Sequence, residues 1–259
     1  MSVRIHPTAV VDAAAQLDDG VVVGPYAIVG PGAVLGEDTE IGPHVVVDGR
    51  TTIGARCRFV GQSSIGTAPQ DLKYQGGATR LEIGDDNIIR EFVTMNRATE
   101  HGGGVTRVGS HGMFMAYSHV AHDCVVGDHV VMANAATLAG HVTVEDHAIV
   151  GGLVAIHQFV RIGESAILGG GSMVTLDVVP YAMAAGDRAS MHGLNLVGMK
   201  RRGFSPQTIR TLRSAYRTIF QGGLRLQDAL AALRPEAEDE PHLAHMLNFI
   251  EASDRGICR

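Results

Sequence analysis

The chain has no tryptophan and few other aromatics, five Tyr and seven Phe among 259 residues. A core without large rings must be filled by small and β-branched side chains. Cysteine is also scarce. Cys57, Cys124 and Cys258 are too few and too scattered for a disulfide framework or a zinc knuckle, which fits a reducing, cytoplasmic setting. No basic segment leading into an apolar run is found near the N-terminus, so no secretion signal is read. No stretch approaches the ~18 consecutive apolar residues of a membrane span, so no integral membrane segment is expected. Positive charge is not in excess. The net charge of −6 argues against a general nucleic-acid binder. Neither GxxxxGK[ST] nor a strand-linked GxGxxG occurs, which removes the P-loop and Rossmann readings, and no HExxH is present.

What is abundant is glycine, 33 residues, and a period of six. Aliphatic residues recur at every sixth position: Ile5, Val11, Leu17, Val23, Val29, Leu35, Ile41, Val47 and Ile53, with Phe59 and Ile65 continuing the register. The series resumes at Ile83, Ile89 and Met95, and again from Val108 through Val126, Leu138, Val150 and Ile162 to Val174. The next residue is often Gly, as at Gly24, Gly36, Gly42, Gly54 and Gly127. The position four after the aliphatic is small or β-branched, as at Ala27, Val45, Cys57, Cys124 and Ala136. A helix cannot place every sixth residue on one face. Six-residue repeats read as a parallel β-helix, an all-β solenoid in which each hexad supplies one short strand and one corner. The glycines are expected to give the corners their backbone freedom. Three hexads make a coil in such solenoids, so residues 18 apart should stack, and stacking buries a core that no coil buries alone.

The breaks in this register are informative. Between Ile65 and Ile83 the hexad positions fall on Asp71 and Gly77, so this stretch is expected to leave the wall as a loop, where function tends to sit. A slip between Met95 and Val108 marks a second excursion at HGGG, residues 101–104. The hexads end near 178–181. Ser205-Pro206 then reads as a helix start, and Ile209, Leu212, Tyr216, Ile219 and Phe220 follow helical spacing. Two more helical patterns run over 226–233 and 242–252. The expected division is a parallel β-helix over 1–187 and a helical domain over 188–259 that covers the open end of the solenoid.

Thirteen histidines are many, and they cluster between His101 and His157. Steps of 18 put His122, Gly140 and Gln158 on one stripe, with Asp123 and His141 beside them. An imidazole next to a free glycine N–H suggests a general base beside an oxyanion donor. Zinc on His119, His122, His141 and His157 is the rival arrangement. Cys57 and Cys124 fall on inward positions and are not expected to act. Lys200-Arg201-Arg202 could be a solvated face, or could hold phosphates or an acidic carrier protein.

With IHPTA (5–9), QDLKY (70–74), HVAHDC (119–124), NAATLAGHV (134–142), AIHQF (155–159) and GMKRRGFS (198–205), the chain resembles the bacterial UDP-N-acetylglucosamine O-acyltransferases of lipid A synthesis. The resemblance runs nearly end to end. It implies a left-handed helix, a homotrimer, and sites in clefts between subunits. It implies transfer of a 3-hydroxyacyl group from acyl carrier protein to the glucosamine 3-position of UDP-N-acetylglucosamine, without metal or cofactor. Carried over, His122 matches the general base, Asp123 its neighbour and Gly140 the oxyanion donor. Asp71, Lys73, His119, His141, His157 and Gln158 match substrate contacts. Asn195, Arg201 and Arg202 match the nucleotide end, and Gly170 the position that limits acyl length. Arg188 and Val197 replace the His and Glu of the best-known members, and Tyr117-Ser118 replaces a more usual Asn-Ala. A 3-hydroxyl and a 3-amino UDP sugar both remain open as acceptors.

Overall fold

A hexad has room for one short strand and a turn, and the chain uses it that way. The computed structural model describes residues 2–259. Most strands are two residues long, and they align into three sheets of 11, 9 and 8 strands that form the walls of a left-handed parallel β-helix. The first face runs through Val22–Val23 and Val131–Met132, the second through Ile28–Val29 and His119–Val120, the third through Val34–Leu35 and Val125–Val126. Coils stack in parallel at the predicted step, Arg4 on Val22 and Ile5 on Val23.

The sixth-position aliphatics point inward. Val23, Val29, Leu35, Ile41, Val47, Ile53, Phe59 and Ile65 are all at most 1% exposed. The small residues four places on, including Ala27, Val45, Cys57, Cys124 and Ala136, fill the corners of the same core. Burying each aliphatic is worth roughly 1.5–3 kcal/mol, so the repeat itself drives the fold. The first coil is the exception. Ile5 is 48% exposed, because no described strand precedes its own.

The glycines have a different role from the one expected of them. The left-handed corner residue is the third after the inward aliphatic, and it is seldom Gly: Tyr26, Asp38, His44, Arg56, Asp123 and His141 have φ of 58°, 57°, 57°, 55°, 60° and 63°. The recurrent glycines serve close approach of neighbouring coils. A Cβ at Gly42 would lie 2.4 Å from the Phe59 carbonyl oxygen, and one at Gly54 would lie 2.7 Å from the Gly84 carbonyl carbon.

Both predicted excursions are present. Residues 68–79 leave the wall between the Ser64–Thr67 and Arg80–Ile83 strands, and residues 97–104 between Thr94–Asn96 and Val105–Val108. Both leave at the edge where the second face turns into the third.

The wall ends with Ala182–Ala185, on which Ser190–Leu194 folds back antiparallel. Four helices follow: α1 Leu196–Arg201, α2 Pro206–Phe220, α3 Leu226–Ala237 and α4 Pro241–Glu251. The predicted start of α2 is correct, with the Ser205 Oγ accepting from the Thr208 N–H at 3.0 Å. The short α1 was not foreseen; the basic run Lys200-Arg201-Arg202 closes it. Leu212, Ala215, Leu243, Met246 and Leu247 join one buried cluster with Val178, Val179 and Ala182, so the helices do cover the solenoid end. They also grip its side. Arg161 donates to the Phe249 and Ala252 carbonyls at 3.4 and 3.1 Å, and His245 bonds Glu145 at 2.8 Å.

Candidate active site

At the edge between second and third faces, three successive corners stack as the arithmetic required. The His141 N–H donates to the His122 carbonyl at 3.1 Å, and the Phe159 N–H to the Gly140 carbonyl at 3.2 Å. His122, Gly140 and Gln158 therefore share one stripe, with Asp123, His141 and Phe159 at the left-handed corner positions beside it.

The Asp123 side chain is fully buried and satisfied from several sides. It accepts from the Thr99 hydroxyl at 2.7 Å and from the Thr99 N–H at 3.2 Å. The Asp123 N–H donates to the Thr106 hydroxyl at 2.8 Å. Gly102 makes this possible, since a Cβ there would come within 2.0 Å of the carboxyl carbon. The second excursion thus wraps the carboxylate and fixes it.

That carboxylate lies 2.8 Å from His122 Nδ1. In the tautomer that donates from Nδ1 to this carboxylate, the Nε2 lone pair is free. Gly140 is immediately against this ring: a Cβ on it would sit 2.8 Å from Nε2 and 2.5 Å from Cε1. Among the described residues no group accepts from the Gly140 N–H, because the first residue of a corner has left the ladder. A basic nitrogen and an unpaired N–H donor are therefore adjacent.

The ring of His141 stands edge-on to His122, 5.3 Å between centroids, and stacks on Phe159 at 4.5 Å. Burial lowers its pKa, opposed by the Asp123 charge, so a neutral imidazole is favoured. His119 lies on the second face with Nδ1 at 2.7 Å from the Thr94 hydroxyl, and burial lowers its pKa too. Asp71 and Lys73 lie on the long loop, where the Lys73 N–H donates to Asp71 at 2.8 Å and the Asp71 charge reaches His141. His157 and Gln158 are exposed one coil further on.

The remaining predicted residues lie elsewhere on the monomer. Asn195, Arg201 and Arg202 line a groove at the edge between third and first faces. Asn195 also caps α1, accepting from the Gly198 N–H at 2.9 Å and donating to the Ser165 carbonyl at 2.9 Å. Arg202 pairs with Glu164 at 2.5 Å, while Arg201 is exposed. Gly170 lies at the third edge, between first and second faces, where a Cβ would approach the Gly152 carbonyl oxygen to 3.2 Å. His122, Asp123 and His141 offer ligand atoms within 4.8 Å of one another, so part of the zinc alternative is geometrically assembled; His119 and His157 are outside that group.

Sequence reasoning missed Thr99, Thr106 and Thr94. The 101–104 glycines signalled an excursion, but nothing in the register tied Gly102 or Thr99 to the carboxylate.

The fold is that of a hexapeptide-repeat acyltransferase, with the imidazole, buried carboxylate and free glycine N–H at one edge of the left-handed β-helix as its candidate site. The family profile described as UDP-N-acetylglucosamine O-acyltransferase, domain 2, matches residues 177–258. An acyl-[acyl-carrier-protein]–UDP-N-acetylglucosamine O-acyltransferase of Trichlorobacter lovleyi is 60% identical over 258 residues, 98% of this chain and 99% of that protein. One from Alkalilimnicola ehrlichii is 53% identical over 256 residues, 99% of each. The crystal structure of UDP-N-acetylglucosamine O-acyltransferase from Moraxella catarrhalis superposes with a TM-score of 0.96 at 44% identity, covering 98% of this chain and 99% of that one. The chain belongs to the family of acyl-[acyl-carrier-protein]–UDP-N-acetylglucosamine O-acyltransferases. No described helix is long and apolar enough to cross a membrane.

Proposed function

We infer that the chain transfers a 3-hydroxyacyl group from acyl carrier protein to the glucosamine 3-hydroxyl of UDP-N-acetylglucosamine, the opening step of lipid A synthesis. The observation that carries this is the 2.8 Å contact between His122 and buried Asp123, with Gly140 against the free side of the ring. A sugar hydroxyl is a poor nucleophile at neutral pH. His122 Nε2 takes its proton as the oxygen attacks the thioester carbonyl. The Gly140 N–H bonds the tetrahedral oxyanion, a contribution of about 3–4 kcal/mol for such a donor. Collapse expels the carrier's thiolate, which takes the proton back from His122. No covalent enzyme intermediate is needed, because the thioester is already activated.

Asp71, Lys73, His119, His141, His157 and Gln158 are proposed as substrate contacts around this centre. Asn195, Arg201 and Arg202 are proposed for the nucleotide, and Gly170 for the end of the acyl groove. These groups occupy three different edges of one prism, which supports a homotrimer in which clefts between subunits unite them. Arg210, Arg213 and Arg217 lie at helical spacing on α2, exposed and without a carboxylate partner among the described residues, and suit docking of an acidic carrier. Three buried free thiols fit the reducing cytosol.

Mass spectrometry of products from mixed 3-hydroxyacyl carrier proteins tests the assignment. With UDP-N-acetylglucosamine and its 3-amino analogue offered together, the expected product is an ester of the first with a long acyl chain. In Gly170→Met the distribution should shift to shorter chains. An amide on the 3-amino sugar alone would overturn the acceptor, and release of free acid without transfer would overturn the reaction.

A further inference from the structure

The edge between third and first faces carries a column of imidazoles that the catalytic reading leaves unused. His111, His129 and His147 occupy the same corner of successive coils. His111 and His129 stack with centroids 4.7 Å apart and planes 10° from parallel; His129 and His147 stack at 4.6 Å and 3°. One end of the column meets a carboxylate, Asp86, 3.8 Å from His111. The other end enters the groove beside α1. That groove, about 270 Å³, has an apolar floor of Val131, Ile149 and Ile167 and is lined as well by His129, His147 and Arg201.

The charges around the column are unevenly placed. Asp128 and Asp146 precede His129 and His147, but their carboxylates accept from the Ser110 and Asp128 N–H groups, each at 2.7–2.8 Å. Asp86 is paired to Arg56 at 2.7 Å, and Glu164 to Arg202 at 2.5 Å. Arg201 has no carboxylate partner among the described residues. Burial and the Arg202 charge lower the pKa of His147.

We propose that His129 and His147 couple proton uptake to the binding of a nucleoside diphosphate ester in this groove, the apolar floor taking the flat base and the imidazoles sharing the diphosphate with Arg201. The proposal rests on the acceptor reading above and adds two residues to it. An anion in the groove favours the protonated form of the two imidazoles that line it. By linkage, a lower pH then tightens binding of the anion. Parallel ring planes do not converge on a common point, so the column is poorly arranged for a chelated metal.

The test is calorimetric titration of the full chain with UDP-N-acetylglucosamine alone, in buffers of differing ionisation enthalpy. This ester keeps its diphosphate charge across the range used. Without acyl donor no turnover occurs. The expected result is net proton uptake near pH 6.5 and a Kd that weakens about three- to tenfold from about pH 6 to about pH 8. The variant His129→Asn/His147→Asn should lose both effects. Asn tolerates the positive φ of 57° and 59° at these positions, so folding is kept. His111→Asn, outside the groove, should retain both effects. Equal proton uptake in wild type and the double variant would overturn the coupling while leaving the acceptor reading intact. Absence of UDP-N-acetylglucosamine binding to the wild type would overturn both. Binding of 4′-phosphopantetheine in its place, abolished in the double variant, would overturn the nucleotide assignment.

Discussion

Gly140 shows how closely the proposed chemistry depends on single atoms. Its missing Cβ is what admits the His122 ring, since a methyl would sit 2.5 Å from Cε1. Gly140→Ala should therefore displace the base and misdirect the N–H donor together, lowering kcat by roughly 10²–10³. Circular dichroism should stay unchanged, because the residue does not fill the core. An active, folded Gly140→Ala with near-normal kcat would show that the ring has another working position. Much of this centre was legible in the sequence. His122 and Asp123 are adjacent, and steps of 18 bring Gly140 and Gln158 to them. The carboxylate's support was not legible, because Thr99 lies 24 residues from Asp123, across the excursion that breaks the count. Periodicity predicts neighbours only where the period is unbroken.

Among elements, α4 is held to the wall by a titratable contact. His245 Nε2 lies 2.8 Å from Glu145, and that hydrogen bond raises the His245 pKa above its ordinary 6.5. A folded-state pKa above the unfolded one means the protonated form stabilises the fold. The contribution is complete below about pH 6.5 and fades as pH rises through the raised value. Thermal melts should thus show the helical domain loosening as pH rises from about 6 toward 8. His245→Gln should flatten that part of the profile. Parallel profiles for wild type and variant would remove the contact from the account. The helices themselves were largely readable, from Ser205-Pro206 and from apolar spacing. The six-residue α1 was not, since one turn and a half leaves no periodic signal, and its cap Asn195 is recognisable only once the Ser165 carbonyl is beside it.

At the scale of the whole molecule, the candidate residues fall on three edges of the solenoid. His122 is on one, the basic groove on the second and Gly170 on the third. Distances along one prism keep these groups apart, so a single subunit offers no enclosed site for a nucleotide, a sugar and an acyl chain. Light scattering should accordingly report a trimer under assay conditions, and dilution to monomer should abolish transfer. An active monomer would refute this arrangement. The solenoid was the most legible feature of all, because every hexad restates it. A trimer is not legible from periodicity, since outward positions carry no repeat; the family resemblance implies it, and a stripe on one face with no deep pocket in a single coil points the same way.

The central claim is that His122, oriented by buried Asp123, is the base for acyl transfer to a UDP-sugar hydroxyl. The direct measurement is the initial rate of transfer from 3-hydroxyacyl carrier protein to UDP-N-acetylglucosamine by wild type and by His122→Ala, each confirmed folded by circular dichroism. The account predicts a fall in kcat of about 10²–10⁴ with KM for the sugar little changed. Turnover close to wild type in the folded variant would contradict it.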